Sequence, residues 1–271
     1  MNRIDDKFAQ LKKSGKKALI IFITAGDPDL NTTQKLVPKL FEAGADIVEL
    51  GIPFSDPLAD GPTIQASHMR ALKSGASPRK ILRMVKAIRK KCDEPIVFMT
   101  AYNLIYSYGD AAFASEAGKC GVDGIIFPDL TPEESGGILP HLTKNGICPI
   151  FLAAPTGGGE RIKEITKKSR GFVYYISVAG ITGKQKPAVG EVKKHVDKIK
   201  KATSLPVACG FGISTPKEAA EISRVTDGVI MGSAVVKIIG GRGSKAARIK
   251  EVCRFVRKVR RSMDSKKDGE G

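Results

Sequence analysis

Short apolar runs alternate with amphipathic segments along almost the whole chain. Each run is four to six residues long and apolar on both faces, which is typical of parallel strands covered by helices. The pattern predicts eight strands, over residues 19–24, 46–50, 95–99, 124–127, 148–153, 172–177, 206–210 and 228–232.

The segments between these runs have helical periodicity and recognisable helix ends. In 31–44, Asn31 or a neighbouring threonine caps the start and Gly44 ends the helix, whereas 77–91 has Pro78 in its first turn. Further helices are predicted over 2–13, 131–146, 215–225 and 244–263.

Eight strand–helix units without a break in composition predict one α/β domain, a (β/α)8 TIM barrel over residues 1–262. An open doubly wound sheet is the alternative, but the even spacing of the strands favours closure. Helix 2–13 is an addition before the first strand, and residues 263–271 are expected to form a disordered tail.

Composition excludes several classes of protein. No apolar stretch approaches the roughly 20 residues that a membrane-spanning helix needs, and residues 1–17 lack the apolar centre of a secretory signal. With 42% hydrophobic residues, the chain is expected to be a soluble, cytoplasmic protein. No disulfide framework or metal site is expected, because the five cysteines and three histidines form no CxxC pair or Cys/His cluster.

The net charge of +17 does not indicate a nucleic-acid partner. Lysines and arginines occur on helical segments throughout, without interleaved aromatic residues and without any tryptophan. This distribution favours anionic ligands and an acidic protein partner.

Two acids stand out near the second predicted strand. Glu49 lies in an otherwise apolar run, one residue before the proline-rich loop 51–62 that carries Asp60. Glu49 is either an acid neutralised by a salt bridge in the core or a carboxyl whose burial raises its pKa for proton transfer. Asp60 is either a turn or helix-capping residue or a second catalytic acid facing the same substrate.

Glycine turns follow the last three predicted strands. They are Gly180 and Gly183, Gly210-Phe211-Gly212, and Gly232-Ser233. Backbone N–H groups in such turns bind anions, and barrels favour this position for phosphate. Residues after Gly232 are expected to form a short phosphate-binding helix, and 178–190 a mobile lid.

The stretch VELGIPFSDPLADGPTIQ (48–65) closely resembles the signature of the tryptophan synthase alpha subunit family. Similar matches occur over 22–29, 127–135, 176–183, 210–214 and 230–237. The resemblance implies a lyase of tryptophan biosynthesis, which cleaves indole-3-glycerol phosphate to indole and glyceraldehyde 3-phosphate by a retro-aldol reaction without metal or cofactor.

The resemblance also implies roles for individual residues. Glu49 matches the acid–base glutamate, Asp60 the aspartate that binds the indole N–H, and Tyr174 the tyrosine beside the glutamate. Thr182 matches a lid threonine, and the matching phosphate-binding residues are Gly183, Gly212, Gly232 and Ser233. Apolar residues expected around the indole, with ordinary core packing as the alternative for each, are Phe22, Ile64 and Phe211.

The family further implies an αββα complex in which the beta subunit carries pyridoxal phosphate. Contacts with that partner are expected at Pro53, Asp56 and Asp129. The strand-three end departs from the family, because Ala101 stands where a tyrosine is common.

Two other functions share this sequence pattern. A stand-alone lyase would release free indole with the same active-site residues. A barrel that has lost catalysis would serve as a binding subunit, but intact Glu49 and Asp60 argue against it.

Overall fold

Parallel pairing joins nine strands of the described residues into one sheet. The computed structural model describes residues 2–56, 60–177, 188–210 and 212–265. Its strands are β1 (Ala18–Thr24), β2 (Ile47–Gly51), β3 (Ile96–Met99), β4 (Gly124–Ile126), β5 (Cys148–Ile150), β6 (Leu152–Ala153), β7 (Val173–Ile176), β8 (Val207–Gly210) and β9 (Gly228–Met231).

The sheet closes on itself through the predicted strand 148–153. This strand is divided at Phe151 into β5, which pairs with β4, and β6, which pairs with β7. Both ends of the strand order β5-β4-β3-β2-β1-β9-β8-β7-β6 therefore belong to one continuous piece of chain. An open sheet would end on two different strands, so the TIM barrel is confirmed and the open doubly wound alternative is wrong.

Helices surround the strands in the expected alternation. They are α1 (Arg3–Lys13), α2 (Leu30–Glu42), α3 (Pro62–Lys73), α4 (Pro78–Arg89), α5 (Tyr102–Tyr108), α6 (Asp110–Cys120), α7 (Leu139–Lys144), α8 (Gly159–Lys168), α9 (Val189–Ala202), α10 (Pro216–Ser223), α11 (Ser233–Ile239) and α12 (Lys245–Asp264), with a 3-10 helix over Glu134–Gly136. No helix of the described residues is long and apolar enough to cross a bilayer.

Several predicted helix boundaries differ from the structure. The single helix predicted over 131–146 is wrong, because this stretch forms a 3-10 helix (Glu134–Gly136) and the short α7 (Leu139–Lys144), with Gly136 and Gly137 where the first of these ends. The cap of α2 is Asp29, not Asn31 or a threonine, because the Asp29 carboxylate accepts a hydrogen bond from the Thr32 N–H at 2.8 Å. The last helix ends at Asp264, one residue beyond the predicted 244–263.

The amino-terminal end of the barrel is plugged by α1. Ile4, Phe8 and Leu11 of this helix join the cluster of side chains inside the barrel. The Phe8 ring packs against Phe172 with centroids 5.7 Å apart, and the Asn2 amide donates to the Asp123 carbonyl just before β4. In barrels of this type the ligand site lies at the opposite, carboxyl-terminal end of the strands, which α1 leaves open.

Helix α3 is fixed to the carboxyl-terminal end of β1. The hydroxyls of Thr24 and Ser67 are 2.5 Å apart. Arg70 donates two hydrogen bonds of 2.7 Å to the buried Asp27 carboxylate. These contacts place α3 beside the mouth of the barrel.

We expect Phe8→Ala to lower the free energy of unfolding by about 3–5 kcal/mol, because it leaves a cavity under the barrel. Denaturant unfolding measures the loss. Gln10→Ala, at an exposed position of the same helix, is the control and should change stability by less than about 0.5 kcal/mol. Equal losses for both variants would contradict the plug.

Candidate active site

A cavity of about 270 Å³ opens at the carboxyl-terminal end of the strands. The ends of β1 to β4, the loop after β2 and helix α3 supply its walls among the described residues. Its lining residues are Phe22, Gly51, Phe54, Asp56, Asp60, His68, Met99, Thr100, Ala101, Pro128 and Asp129.

Glu49 lies inside the barrel on β2, two residues before the cavity-lining Gly51. It pairs with Phe22 on β1 and with Val97 on β3. The residue is 1% exposed, and neither carboxyl oxygen has a hydrogen-bond partner in the part of the chain that the structure describes. Within that part the core salt bridge considered from the sequence does not form.

The surroundings of Glu49 disfavour its charged form. Burial raises the pKa of the carboxyl from 4.5 to about 8, and the negative charge of Asp60 contributes to the rise. Near neutral pH the Glu49 carboxyl is therefore mostly protonated, and it can act first as an acid and then as a base.

Asp60 lies at the end of the loop after β2, where its side chain is 28% exposed. Burial raises the pKa of this carboxyl from 3.8 to about 6, so it is mostly ionised at neutral pH. The N-cap of α3 is Gly61, so the helix-capping alternative for Asp60 is wrong.

Tyr174 faces the same two acids from the opposite side of the barrel. It lies on β7, paired with Leu152 and Ala208, and is 4% exposed. Burial, together with the charges of Glu49 and Asp60, raises the pKa of the hydroxyl well above 10. The phenol therefore stays protonated at any physiological pH.

Glycines make room for aromatic rings at this level of the barrel. A Cβ at Gly51 would lie 2.7 Å from the Phe22 ring, and a Cβ at Gly210 would overlap the Tyr174 hydroxyl. Both positions need glycine because the rings occupy the space of a side chain.

Two of the predicted phosphate-binding turns follow β8 and β9, which are neighbouring strands. Gly212 has φ +78°, a conformation that favours glycine. Gly232 is the N-cap of α11 and has no side chain to cap it, and Ser233 is the first residue of the helix. Helix first turns have N–H groups without acceptors inside the helix, which suits an anion. Gly183 and the rest of 178–187 lie outside the described residues.

The predicted indole residues are placed in part. Phe22 and Ile64 pack together with Val236 in a small cluster, and Met99 packs against it. Phe22 also lines the cavity, whereas Ile64 supports Phe22 from α3. Phe211 and the lid residue Thr182 lie outside the described residues.

The predicted partner contacts differ in accessibility. Asp56 and Asp129 are exposed and line the cavity mouth. The Asp129 carboxylate accepts the Tyr102 N–H at 2.9 and 3.0 Å. Pro53 is buried in this chain. It can therefore restrict the conformation of the loop, but it contributes little exposed surface for a partner to contact.

Besides Gly51, sequence analysis missed five lining residues. Met99 follows the inward-facing Val97 by two residues, so strand alternation contained a signal for it. No comparable pattern pointed to His68, which is a single histidine on a helix. The missed residues are Phe54, His68, Met99, Thr100 and Pro128.

A family model described as "Tryptophan synthase alpha chain" matches residues 8–265. This chain belongs to the tryptophan synthase alpha family. Membership makes it a carbon–carbon lyase of tryptophan biosynthesis that cleaves indole-3-glycerol phosphate. The described residues of this chain contain no group of three or more His, Cys, Asp or Glu side chains arranged to hold a metal ion.

Individual relatives agree with the tryptophan synthase alpha assignment. The Tryptophan synthase alpha chain of Geobacter sulfurreducens is 48% identical over 263 residues, covering 97% of this chain and 99% of the relative. Tryptophan synthase subunit alpha from Legionella pneumophila str. Paris superposes with a TM-score of 0.89 at 38% identity, covering 97% and 99% of the two chains. Tryptophan synthase from M. tuberculosis in its aminoacrylate-bound form gives 0.86 at 31% identity, covering 97% and 100%.

We expect Glu49→Gln to stabilise this alpha chain increasingly as pH rises. Between pH 4.5 and about 8 the folded chain keeps a proton that the unfolded chain releases, so the raised pKa makes wild-type stability fall as pH increases through this window. Glutamine removes that dependence. At about 1.4 kcal/mol per pH unit, the difference between variant and wild type should grow by on the order of 3 kcal/mol from pH 5 to pH 8.

Denaturant unfolding at the two pH values measures this difference. Glu160→Gln, at an exposed carboxyl on α8, is the control and should show no such growth. A constant difference for Glu49→Gln would mean that the carboxyl is solvated in the folded chain.

Proposed function

We propose that Glu49 and Asp60 are the two carboxyl groups that carry out the cleavage of indole-3-glycerol phosphate. The observation that supports this assignment is their pair of unequal pKa values, about 8 and about 6, at one barrel mouth. Two acids whose surroundings separate their pKa values can act as proton donor and as stabilising anion at the same pH.

Glu49 transfers both protons of the reaction. Its protonated carboxyl donates to C3 of the indole, and the ring becomes a cation at N1. The Glu49 carboxylate then takes the proton of the C3′ hydroxyl. The O–H electron pair forms the aldehyde C=O, the C3–C3′ bond breaks, and its electrons restore the C2–C3 double bond and neutralise N1. Indole and glyceraldehyde 3-phosphate leave, and Glu49 is protonated again.

Asp60 stabilises the cation between these two proton transfers. As an ionised carboxylate it accepts a hydrogen bond from the indole N1–H. A fixed negative charge in a partly dry cavity stabilises the developing positive charge more than water would. Tyr174 helps to position the Glu49 carboxyl. Its hydroxyl is neutral and buried, and it faces both acids.

The remaining predicted residues hold the substrate. The N–H groups around Gly183, Gly212, Gly232 and Ser233 bind the phosphate, helped by the net positive charge of the chain. The indole ring lies against apolar side chains from two sides of the barrel, and Thr182 closes over the loop acids. The apolar residues assigned to the ring are Phe22, Ile64 and Phe211.

We place the chain in an αββα complex whose beta subunit carries the pyridoxal phosphate. Membership of the alpha family implies the beta partner. The exposed carboxylates of Asp56 and Asp129 lie at the cavity mouth, where a docked subunit would receive indole directly. Pro53 stiffens the loop that carries Asp56. A cytoplasmic location stays a prediction from the sequence.

We expect Asp60→Asn to abolish turnover while substrate affinity changes only a few-fold, because the carboxylate acts on charge that appears after binding. Glu49→Gln should be at least as damaging. In the wild type, kcat/KM should fall below about pH 6 as Asp60 is protonated, and above about pH 8 as Glu49 loses its proton.

Steady-state indole release over pH 5–9 measures these effects, with Glu160→Gln as the unaffected control. A hundredfold loss of binding with normal turnover in Asp60→Asn would overturn the role of Asp60. A near-wild-type rate in Glu49→Gln would remove Glu49 from the mechanism.

The decisive test of the proposed complex is indole release by the purified chain with and without its beta subunit. We expect slow cleavage by the chain alone and a sharp rise with the partner, because the partner contacts the loop that carries Asp56 and Asp60. Fast cleavage alone would favour the stand-alone lyase. No cleavage in either case would favour the binding subunit, and Ala101 would be the first residue to revert to tyrosine.

A further inference from the structure

His68 is a buried histidine that touches both halves of the loop after β2. It projects from α3 into the cavity wall and is 6% exposed. Its Nδ1 accepts the Phe54 N–H at 2.9 Å, near the start of the loop. Its Nε2 lies 3.6 Å from Asp60 Oδ2, at the end of the loop.

The contact with Phe54 decides where the imidazole carries its proton. An Nδ1 that accepts a hydrogen bond has no proton, so the neutral ring carries its proton on Nε2. That N–H is on the side of the ring that faces Asp60. Burial lowers the pKa of His68, which keeps the ring neutral near pH 7.

The helix beneath His68 is held rigidly. Ser67, its neighbour, contacts the Thr24 hydroxyl, and Arg70 is paired with Asp27. The charges next to the imidazole are therefore Asp60 at the cavity and the Asp27–Arg70 pair on the β1 side. His68 therefore has a well-defined position from which it can hold the loop after β2 in place.

We propose that His68 is a positioning residue for the lyase reaction, which donates its Nε2–H to Asp60 Oδ2 and leaves Oδ1 to accept the indole N–H. This inference rests on the proposed role of Asp60. At 3.6 Å the two atoms are beyond hydrogen-bond distance without substrate, and a shift of Asp60 by less than 1 Å closes the gap. Catalytic hydrogen bonds are often long before substrate binds and shorten in the complex.

Two substitutions separate the two contacts of His68. In His68→Asn the amide oxygen occupies the place of Nδ1 and keeps the acceptor for Phe54, but nothing reaches Asp60. In His68→Gln the amide nitrogen reaches the place of Nε2 and keeps the donor to Asp60, but the acceptor for Phe54 is lost.

We expect His68→Asn to lower kcat at least about tenfold, as for loss of one hydrogen bond to a charged group, with KM within about threefold. The acidic limb of the pH profile of kcat, which reports the substrate complex, should move to higher pH. The reason is that the Asp60 carboxylate loses a hydrogen-bond donor, which raises its pKa in that complex. His68→Gln should keep kcat within about threefold of the wild type. Denaturant unfolding of each variant separates these effects from loss of fold.

A double-mutant cycle with Asp60→Asn tests the link directly. If His68 acts through Asp60, His68→Asn should change the trace of cleavage left in Asp60→Asn, followed in a single turnover with the protein in excess over substrate, by less than about twofold. The inference would be overturned if the effects of the two substitutions on the rate were fully additive. It would also be overturned if the acidic limb of the pH profile of kcat were unchanged in His68→Asn. If Asp60→Asn is itself active, the proposed function fails instead, so the two failures are distinct.

A further test leaves His68 itself unchanged. Nitrogen-15 NMR of the imidazole at pH 7 should find the proton of His68 on Nε2, with the Nε2 resonance shifting when indole-3-glycerol phosphate binds to Glu49→Gln. A proton on Nδ1, or no shift on binding, would overturn the positioning role.

Discussion

Closure of the sheet through residues 148–153 is the constraint on which the active site depends. One strand reaches β4 with its first half and β7 with its second half, and the ring is complete. A closed parallel ring brings all carboxyl ends of the strands to one rim and turns alternate side chains inward. Glu49 and Asp60 therefore share one mouth of the barrel with Tyr174, although they are far from it in the sequence. Helix α1 fills the other end.

The same closure gives Glu49 its chemistry. The inward-facing Glu49 carboxyl is 1% exposed and has no hydrogen-bond partner among the described residues, so its proton is retained to an unusually high pH. Asp60 lies higher, on a loop in partial contact with solvent, and ionises at lower pH. The two carboxyl groups lie at different depths in the barrel. At the same pH, Glu49 is therefore protonated and Asp60 is ionised.

Space at the mouth is set by small residues opposite large ones. Gly51 and Gly210 leave room for the rings of Phe22 and Tyr174. These rings in turn help to bury Glu49. The cost of this arrangement falls on stability, because a buried carboxyl without a partner opposes folding at neutral pH. Such a cost is common where function requires a perturbed group.

The sequence by itself determined the strand order, the barrel and the two acids. Apolar runs and helix ends are local features, and parallel topology places every strand end at one rim, so Glu49 and Asp60 could be assigned together. The break at Phe151, the Asp29 cap and the contacts of His68 were decided only by tertiary structure. Each depends on atoms brought together across the fold, as when His68 on α3 meets Phe54 and Asp60, and no local pattern of hydrophobic and polar residues encodes such a meeting.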